Sequence, residues 1–266
     1  MKHILSIQDL SCVGRCSLTV ALPVLSAMGH QCSVLPTAVL STHTAFPAPE
    51  VADLTDRLAG FSRHWRENGV AFDMVSVGYL SDPRQAEIVA GILDEIGSFA
   101  VLDPVMGDNG KLYRRITPDH IGAMKQLAAR ADVLLPNLTE AAALAGLPYR
   151  EQVDEGYLAQ LTEGLLALGT KAAVITGVHL TDGAIGYYGR DWEGTTFSYQ
   201  GERIPRQFHG TGDLFAAVLA GSILKGGSLA DAAREAAEFV RLCVENTEKV
   251  TPFGVEFENQ LHKLWK

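Results

Sequence analysis

The sequence predicts an α/β fold, a three-layer α/β/α sandwich with a mostly parallel central sheet flanked by helices. Short apolar runs alternate along the chain with longer segments of helical periodicity, which is typical of a parallel sheet covered by helices. Proline and glycine mark many boundaries between these segments. The chain has 266 residues, at the upper end of what one hydrophobic core fills, so we predict a single domain over residues 1–266.

The elements follow in order from these signals. The predicted strands are 3–7, 31–37, 72–78, 99–102, 133–135, 172–176, 184–189 and 195–200, the last two as a hairpin. The predicted helices are 16–28, 49–67, 83–96, 118–130, 140–145, 155–168, 211–225 and 229–247. The stretch 189–208 is the least regular, and a mobile flap is expected there. Because ligands bind beyond the carboxyl ends of parallel strands, the segments after the strands are the candidate sites.

Composition narrows the class of partner. The net charge of −9 argues against nucleic acid and anionic membrane, which both reward clustered cations. The first apolar run is too short for a signal peptide, and no window reaches the roughly 20 apolar residues of a membrane span. We therefore expect a soluble, cytoplasmic protein.

Four cysteines in a chain of this length do not form a disulfide framework. Cys12, Cys16 and Cys32 with His30 could be drawn as a zinc cluster, but their spacing matches no common zinc module. Free thiols are the favoured interpretation.

The strongest candidate segment is the glycine-rich turn at 209–213, His-Gly-Thr-Gly-Asp, which leads into an apolar helix. Gly210 and Gly212 permit backbone angles and close approaches that a side chain would block. N–H groups at a helix start attract anions, and the Asp213 carboxylate lies in the same first turn. Amides that hold a phosphate beside a carboxylate that takes a proton are what phosphoryl transfer needs. A capped helix start alone is the alternative.

Three further segments follow predicted strands. Asp103 and Asp108 lie on a glycine-rich loop suited to Mg²⁺, or form a turn held by side-chain hydrogen bonds. Glu140 opens a helix together with Asn137, either pointing into a crevice or capping the helix. Near the N-terminus, small polar groups end two strands, and His43 is either an acid–base group or a structural histidine.

Together and in this order, the segments resemble the ribokinase-like superfamily and, within it, the pyridoxal (pyridoxine, pyridoxamine) kinases. Four motifs carry the resemblance: Gly-Thr-Gly-Asp at 210–213, Asp-Pro-Val-Met-Gly-Asp at 103–108, Pro-Asn-Leu-Thr-Glu at 136–140 and Ile-Thr-Gly at 175–177. The resemblance spans essentially the whole chain. It implies ATP-dependent phosphorylation of the 5′-hydroxymethyl group of a B6 vitamer, and a homodimer.

The resemblance also implies roles for single residues. Asp213 would be the base that activates the substrate hydroxyl, with Gly210, Thr211 and Gly212 as the anion hole. The ATP-binding residues would be Asp103, Asp108, Leu135, Glu140, Thr176 and Gly177. Among these, Asp103 and Glu140 would hold Mg²⁺ mostly through water, and Leu135 and Thr176 would lie near a monovalent cation, K⁺ or Na⁺. The vitamin ring would lie among Asp9, Thr44 and Tyr79.

The first motif departs from the family pattern. Asp9-Leu10-Ser11 stands where pyridoxal kinases tend to have Ser-His-Val, and Ala45 stands where Gln is frequent. Because of this departure, the alternative function is that of a hydroxymethylpyrimidine kinase, a relative that acts in thiamine synthesis. Those relatives usually carry Cys in place of the base, so Asp213 favours a pyridoxal-type kinase. A non-catalytic nucleotide- or vitamin-binding protein is the third hypothesis, against which Asp213 and its flanking glycines argue.

Overall fold

The structure is a computed structural model that describes residues 1–114 and 116–265. The chain forms two compact units. Unit 1 combines Met1–Tyr79 with Ile204–Lys266, and unit 2 is Leu80–Arg203.

The elements alternate between strand and helix along most of the chain. The strands are β1 (His3–Ser11), β2 (Gln31–Leu40), β3 (Val51–Asp53), β4 (Met74–Val77), β5 (Phe99–Leu102), β6 (Gly107–Asp108), β7 (Lys111–Leu112), β8 (Val133–Leu134), β9 (Ala172–Val178), β10 (Ala184–Arg190) and β11 (Thr196–Glu202). The helices are α1 (Leu18–Ala27), α2 (Thr55–Glu67), α3 (Pro83–Ile96), α4 (Pro118–Ala128), α5 (Leu138–Ala145), α6 (Glu155–Leu166), α7 (Thr211–Leu224), α8 (Leu229–Asn246) and a 3₁₀ helix (Glu258–Leu264).

In unit 1 the strand order is β4-β1-β2-β3. β1 runs parallel to β2 and β4, while β3 pairs antiparallel with β2. β1 is buried along almost its whole length because helices cover both faces of a parallel sheet. Helix α7 is buried from Leu214 to Ser222. It packs tightly on the end of α1, since a Cβ on Gly221 would lie 2.4 Å from Met28 Sδ.

In unit 2 the strand order is β11-β10-β9-β8-β5, and β5, β8 and β9 are parallel. β10 pairs antiparallel with β9 and forms a hairpin with β11. β6 and β7 form a separate two-stranded hairpin. Helix α3 starts at the Asp82 side chain, which accepts from the Arg84 N–H, and ends at Gly97 in the left-handed conformation.

One predicted boundary is wrong. The helix predicted from residue 49 begins at Thr55, because residues 51–53 pair with β2 as β3. The predicted hairpin is confirmed, because β10 and β11 pair from Ala184–Glu202 to Arg190–Thr196. Residues 203–208 belong to no helix or strand. Tyr187 and Tyr199 stack across this hairpin with ring centroids 5.8 Å apart. Among the described helices, none has the length and apolar character needed to cross a membrane.

Candidate active site

The glycine-rich turn before α7 is set by close backbone packing. Gly210 has φ +83°, in the left-handed region, and a Cβ there would lie 2.1 Å from the Arg15 carbonyl oxygen. Only glycine fits such a position. Gly212 differs, because a Cβ there would meet none of the described atoms within 4 Å. Packing therefore requires the first glycine, whereas the second leaves open space in front of the helix start.

Three segments of unit 1 are joined at this turn. The Arg15 N–H donates to the Phe253 carbonyl at 2.8 Å, and the Val255 N–H donates to the His209 carbonyl at 3.0 Å. Gly254, at φ +90°, also lies against this turn, since a Cβ there would be 2.9 Å from the His209 carbonyl oxygen. The loop after β1, the turn before α7 and the segment after α8 thus fix one another through backbone groups.

Asp213 lies in the first turn of α7 and is half-buried. Burial, with a smaller contribution from the negative charge of Asp9, raises the pKa of its carboxyl to about 6. The nearby backbone N–H groups of Ser17 and of Asp213 itself lower this pKa. A carboxylate with this pKa is ionised at neutral pH and can accept a proton.

Asp9, a predicted ring contact, is 4% exposed at the end of β1. Its Oδ2 accepts from the Ser11 hydroxyl at 2.9 Å and its Oδ1 from the Ser17 hydroxyl at 2.5 Å. Burial raises the pKa of the Asp9 carboxyl, against the lowering effect of the two hydroxyls. The structure thus gives Asp9 protein partners on both oxygens, and ring contact there stays a prediction.

The other residues predicted near the ring lie in the same unit. Thr44 is exposed and Tyr79 is half-buried, with its carbonyl accepting from the Thr37 hydroxyl at 3.3 Å. His43 is structural: it is 4% exposed, and its Nε2 donates to the Pro252 carbonyl at 2.5 Å. Its ring also lies 5.2 Å from that of His209. The acid–base alternative for His43 therefore has no support.

In unit 2, Glu140 is a buried cap that links a helix to a loop. Its side chain is 2% exposed, and Oε2 accepts from the Asn137 N–H at 2.9 Å. Oε1 accepts from the N–H groups of Met106 at 2.9 Å and Gly107 at 3.4 Å. Burial raises the pKa of Glu140 to about 7 in spite of these three donors. The helix-cap alternative thus describes Glu140 in this structure.

The same helix start holds the loop that carries Asp103 and Asp108. Asn137 Nδ2 donates to the Gly107 carbonyl at 2.7 Å. The Gly110 N–H donates to the Thr139 hydroxyl at 2.9 Å. Asp103 is half-buried and Asp108 is exposed. Both carboxylates lie on a loop whose backbone is held by these hydrogen bonds with the start of α5. The structure brings these two segments together.

The remaining predicted nucleotide contacts flank this helix start. The Thr176 N–H donates to the Pro136 carbonyl at 2.9 Å, and Thr176 forms a bridge with Asn137. Leu135, 3% exposed, precedes this bridge. Gly177 has φ +68°, a conformation that favours glycine. The start of α5 is therefore flanked by Leu135, Thr176 and Gly177.

Asp103 and Asp108 are the loop carboxylates that could serve Mg²⁺ through water, and in this structure both Asp108 oxygens accept from Asn109, at 2.8 and 3.0 Å. Within residues 1–114 and 116–265, no three His, Cys, Asp or Glu side chains form a set that could hold a metal. Mg²⁺ commonly keeps several waters and uses only one or two protein carboxylates, which Asp103 and Asp108 can supply. Glu140 contacts backbone N–H groups, so its part would be indirect. All four cysteines are free thiols.

Ser17 and Thr139 are site residues that sequence patterns did not reveal. Ser17 has φ 52° and ψ −126°, an unfavourable conformation for a residue with a side chain. Its hydrogen bond to Asp9 depends on tertiary structure and leaves no signature in the local sequence. Thr139 could have been noticed, because it stands between Asn137 and Glu140 in a helix start rich in capping groups.

Fold and sites together are those of a phosphotransferase, a small-molecule kinase with the ribokinase-like fold. The family model described as phosphomethylpyrimidine kinase matches residues 63–255. The chain belongs to the phosphomethylpyrimidine kinase family.

Relatives within this family carry two kinds of name. A pyridoxal kinase from Lactobacillus plantarum is 36% identical, with a TM-score of 0.91 over 99% of this chain and 96% of that one. A Bacteroides thetaiotaomicron protein described as a phosphomethylpyrimidine kinase, in a crystal form with pyridoxal, is 36% identical, with a TM-score of 0.94 over 99% of this chain and 95% of that one. A hydroxymethylpyrimidine/phosphomethylpyrimidine kinase of Rhizobium meliloti is 26% identical over 98% of both chains. The predicted fold class, with its mostly parallel central sheet flanked by helices, is confirmed.

Proposed function

We propose that this protein transfers the γ-phosphoryl group of ATP to the 5′-hydroxymethyl group of pyridoxal, pyridoxine or pyridoxamine. The observation that carries the proposal is the Asp213 carboxylate in the first turn of α7, behind a left-handed Gly210 and with a pKa of about 6. The 36% identity to the L. plantarum pyridoxal kinase over nearly the whole chain supports this choice of substrate.

In the proposed reaction, Asp213 takes the proton from the substrate hydroxyl as its oxygen attacks the γ-phosphorus. Phosphoryl transfer develops negative charge on the equatorial oxygens of the transferred group. The N–H groups of Gly210, Thr211 and Gly212 stabilise that charge, because the first N–H groups of a helix lack intrahelical acceptors and lie at the positive end of its dipole. The open space at Gly212 gives an anion room to approach.

The ATP phosphates would be bound around the start of α5. Asp103 and Asp108 would hold Mg²⁺ mostly through water, with Glu140 fixing the loop that carries them. When bound, Mg²⁺ would neutralise charge on the transferring phosphates. A K⁺ or Na⁺ ion near Leu135 and Thr176 would add positive charge there, and the left-handed Gly177 would border the nucleotide.

The vitamin ring would contact Thr44 and Tyr79. Thr44 is exposed and offers a hydroxyl, while Tyr79 is half-buried and offers a ring for stacking. The buried Asp9 offers little surface to the ring, because both of its carboxylate oxygens accept from seryl hydroxyls. Its effect on the substrate would therefore be indirect. A small number of polar groups is typical of sites that orient an aromatic ligand.

Hydroxymethylpyrimidine kinase is the second candidate function. The match to the R. meliloti relative over 98% of both chains favours it. Asp213 argues for the first candidate, since the pyrimidine kinases that this sequence resembles usually have Cys at that position. Both candidates phosphorylate a hydroxymethyl group on an aromatic ring, so the same residues would serve either reaction.

Three wider features belong to the same proposal. Residues 1–266 would act as a single kinase domain, and the resemblance to pyridoxal kinases supports a homodimer. Cytoplasmic action is supported by the four free thiols, which are typical of a reducing compartment.

A substrate panel tests the proposal. Purified protein with ATP and Mg²⁺ is offered pyridoxal, pyridoxine, pyridoxamine and hydroxymethylpyrimidine in separate reactions, and ADP and the phosphorylated product are both quantified. We expect at least one B6 vitamer to be converted to its 5′-phosphate with a larger kcat/KM than that for hydroxymethylpyrimidine. Phosphorylation of hydroxymethylpyrimidine alone would replace the first candidate with the second. Binding without turnover on all four would indicate a non-catalytic binding protein.

A further inference from the structure

The hairpin of β6 and β7 in unit 2 has a tight turn with an aspartate beside it. Asp108 and Lys111 pair across the hairpin, and Asn109 and Gly110 form the two-residue loop between them. Both loop residues have positive φ, 51° for Asn109 and 74° for Gly110, as a type I′ turn requires. Asparagine tolerates this conformation better than most residues with a side chain. The turn is therefore a defined structure, and the Asp108 side chain is exposed on it.

Asn109 also holds the Asp108 side chain. Its backbone N–H donates to Asp108 Oδ1 at 2.8 Å, and its side-chain Nδ2 donates to Oδ2 at 3.0 Å. An ionised carboxylate has about four acceptor positions, so each oxygen can still accept from a water molecule. The turn thus restrains the orientation of the carboxylate and leaves it able to bind the water shell of Mg²⁺.

The start of α5 holds this hairpin at two places. The Gly110 N–H donates to Thr139 Oγ1 at 2.9 Å, and Thr139 is 6% exposed. In β6, the Gly107 carbonyl accepts from Asn137 Nδ2 at 2.7 Å, and the Gly107 N–H donates to Glu140 Oε1 at 3.4 Å. Thr139 therefore bonds the turn itself, whereas Asn137 and Glu140 bond the strand before it.

The ring of Tyr149 packs against the same turn. A Cβ on Gly110 would lie 2.7 Å from Tyr149 Cε1 and 2.8 Å from Cδ1, so the ring contacts the glycine. Tyr157 holds the loop before α6, because its hydroxyl donates to the Pro148 carbonyl at 2.5 Å. The Arg150 guanidinium lies 4.4 Å from the centre of the Tyr157 ring. The Tyr149 ring is thus carried by a loop that is itself fixed.

The backbone N–H groups at the start of α5 already have protein acceptors. Asn137 Oδ1 accepts from the N–H groups of Thr139 at 2.9 Å and Glu140 at 3.1 Å. Glu140 Oε2 accepts from the Asn137 N–H at 2.9 Å. Helix α7 differs, because its N-cap, Gly210, provides no side-chain cap. Charge recognition near α5 therefore depends on side chains such as Asp108, whose placement depends on the hairpin.

We propose that Thr139 and Tyr149 are positioning residues, which hold the turn at 108–111 where the Asp108 carboxylate meets the hydrated Mg²⁺ of a bound nucleotide. The inference rests on the proposed function, in which the ATP phosphates bind around the start of α5. The Thr139 hydroxyl fixes the turn through the Gly110 N–H, and the Tyr149 ring fills the space beside the same glycine. Both residues act through Asp108 and not by contact with the nucleotide.

Calorimetry with ADP, in Mg²⁺ and in EDTA, tests the proposal without turnover. Thr139→Val keeps the shape of the side chain and removes the acceptor of the Gly110 N–H. We expect the dissociation constant for ADP in Mg²⁺ to rise about tenfold or more, as is typical when a group that orients a metal-binding side chain is lost. The constant in EDTA should change little. Wild-type affinity in Mg²⁺ would overturn the inference, and so would a loss of the same size in both conditions.

Thr139→Ser and Thr162→Val are the matched controls. Serine retains the hydroxyl, so Thr139→Ser should restore the affinity for ADP in Mg²⁺. Thr162 is buried in α6, where its hydroxyl donates to the Leu158 carbonyl at 2.8 Å within the same helix. Thr162→Val therefore removes a buried hydroxyl of the same unit without changing the hairpin, and affinity should stay at the wild-type value. An equal loss in Thr162→Val and Thr139→Val would contradict a specific role for Thr139.

A double-mutant cycle shows whether Thr139 acts through Asp108. Asp108→Asn removes the charge of the carboxylate and should raise the dissociation constant in Mg²⁺ about tenfold or more. In that background Thr139→Val should have almost no further effect, because two residues that act through one group are not additive. Additive losses would refute the positioning role.

Tyr149→Ala keeps the test informative where Thr139→Val does not fold. Tyr149 is 37% exposed, so its removal leaves no buried cavity. We expect Tyr149→Ala to weaken ADP binding in Mg²⁺ and not in EDTA, and Tyr149→Phe, which keeps the ring, to match wild type. A Tyr149→Ala variant with wild-type affinity would overturn the part assigned to the ring. Wild-type protein that binds ADP in neither condition would refute the proposed function instead.

Discussion

Alanine at the two glycines of the turn before α7 should change stability in opposite directions. In Gly210→Ala, the new Cβ would lie 2.1 Å from the Arg15 carbonyl oxygen, so the two backbones must separate by roughly 1 Å or more to reach ordinary contact. The left-handed φ of +83° adds about 1–2 kcal/mol, and overpacking adds about 1–3 kcal/mol. We therefore expect Gly210→Ala to lose about 2–5 kcal/mol of unfolding free energy.

Gly212→Ala is the matched control, two residues further on in the same turn. Its Cβ would meet none of the described atoms within 4 Å, and the residue already has helical geometry. Alanine in a helix is favoured over glycine by about 0.5–1 kcal/mol, so stability should hold or rise. Activity should still fall, by about tenfold or more, because the methyl group occupies the space where the phosphate must approach the N–H groups.

Scanning fluorimetry and steady-state kinetics on the same preparations measure both effects. Gly210→Ala should lower Tm by about 5 °C or more, while Gly212→Ala should retain the wild-type Tm and lose kcat/KM. A Gly210→Ala variant as stable as wild type would show that the close approach to Arg15 does not constrain the turn. A fully active Gly212→Ala variant would contradict the assignment of the turn as an anion hole.

Three further predictions concern pH and a buried cap. Burial lowers the pKa of His30 in the folded state, so the contribution of the neutral His30 to stability is complete above the unfolded pKa of about 6.5 and is lost as the pH falls below it. The urea midpoint should therefore fall more between pH 7.5 and 5.5 in wild type than in His30→Gln. Equal losses in the two proteins would contradict this. Asp213 must be ionised to accept a proton, so kcat/KM should fall about tenfold per pH unit below about 6, and a flat profile from pH 7 to 5 would argue against this base. Glu140→Gln replaces one of the two carboxylate oxygens by an NH₂ group, which cannot accept the hydrogen bond from either Met106 or Asn137, whichever it faces. Chemical denaturation should therefore show a loss of about 1–3 kcal/mol in unfolding free energy, and kinetics a higher KM for ATP. Unchanged values would show that the cap does not support the loop.

The elements with local signals could be predicted from the sequence. Helix α3 has the predicted bounds, since Asp82 and Pro83 start it and Gly97 ends it within the local chain. β3 could not be predicted, because three residues carry no periodicity and only pairing with β2 defines them as a strand. The hairpin of β6 and β7 is invisible for the same reason.

In the candidate site, too, local motifs could be predicted from the sequence and long-range contacts could not. The glycine turn and the Asn137–Glu140 helix start have motifs whose chemistry can be read from residue types, and the structure shows both as helix starts. What these side chains contact could not be predicted. One oxygen of Glu140 accepts from backbone N–H groups 30 or more residues away in the chain, and Asp9 accepts from seryl hydroxyls, because burial forces every carboxylate oxygen to find a donor.

Asp213→Asn in the vitamer assay tests the central claim most directly, because it removes the proposed base with almost no change of shape. We expect kcat for the preferred vitamer to fall about 10²–10⁴-fold, with Mg²⁺–ATP affinity by calorimetry close to that of wild type. An Asp213→Asn enzyme whose kcat lies within about threefold of wild type would contradict the claim that the turn before α7 supplies the base.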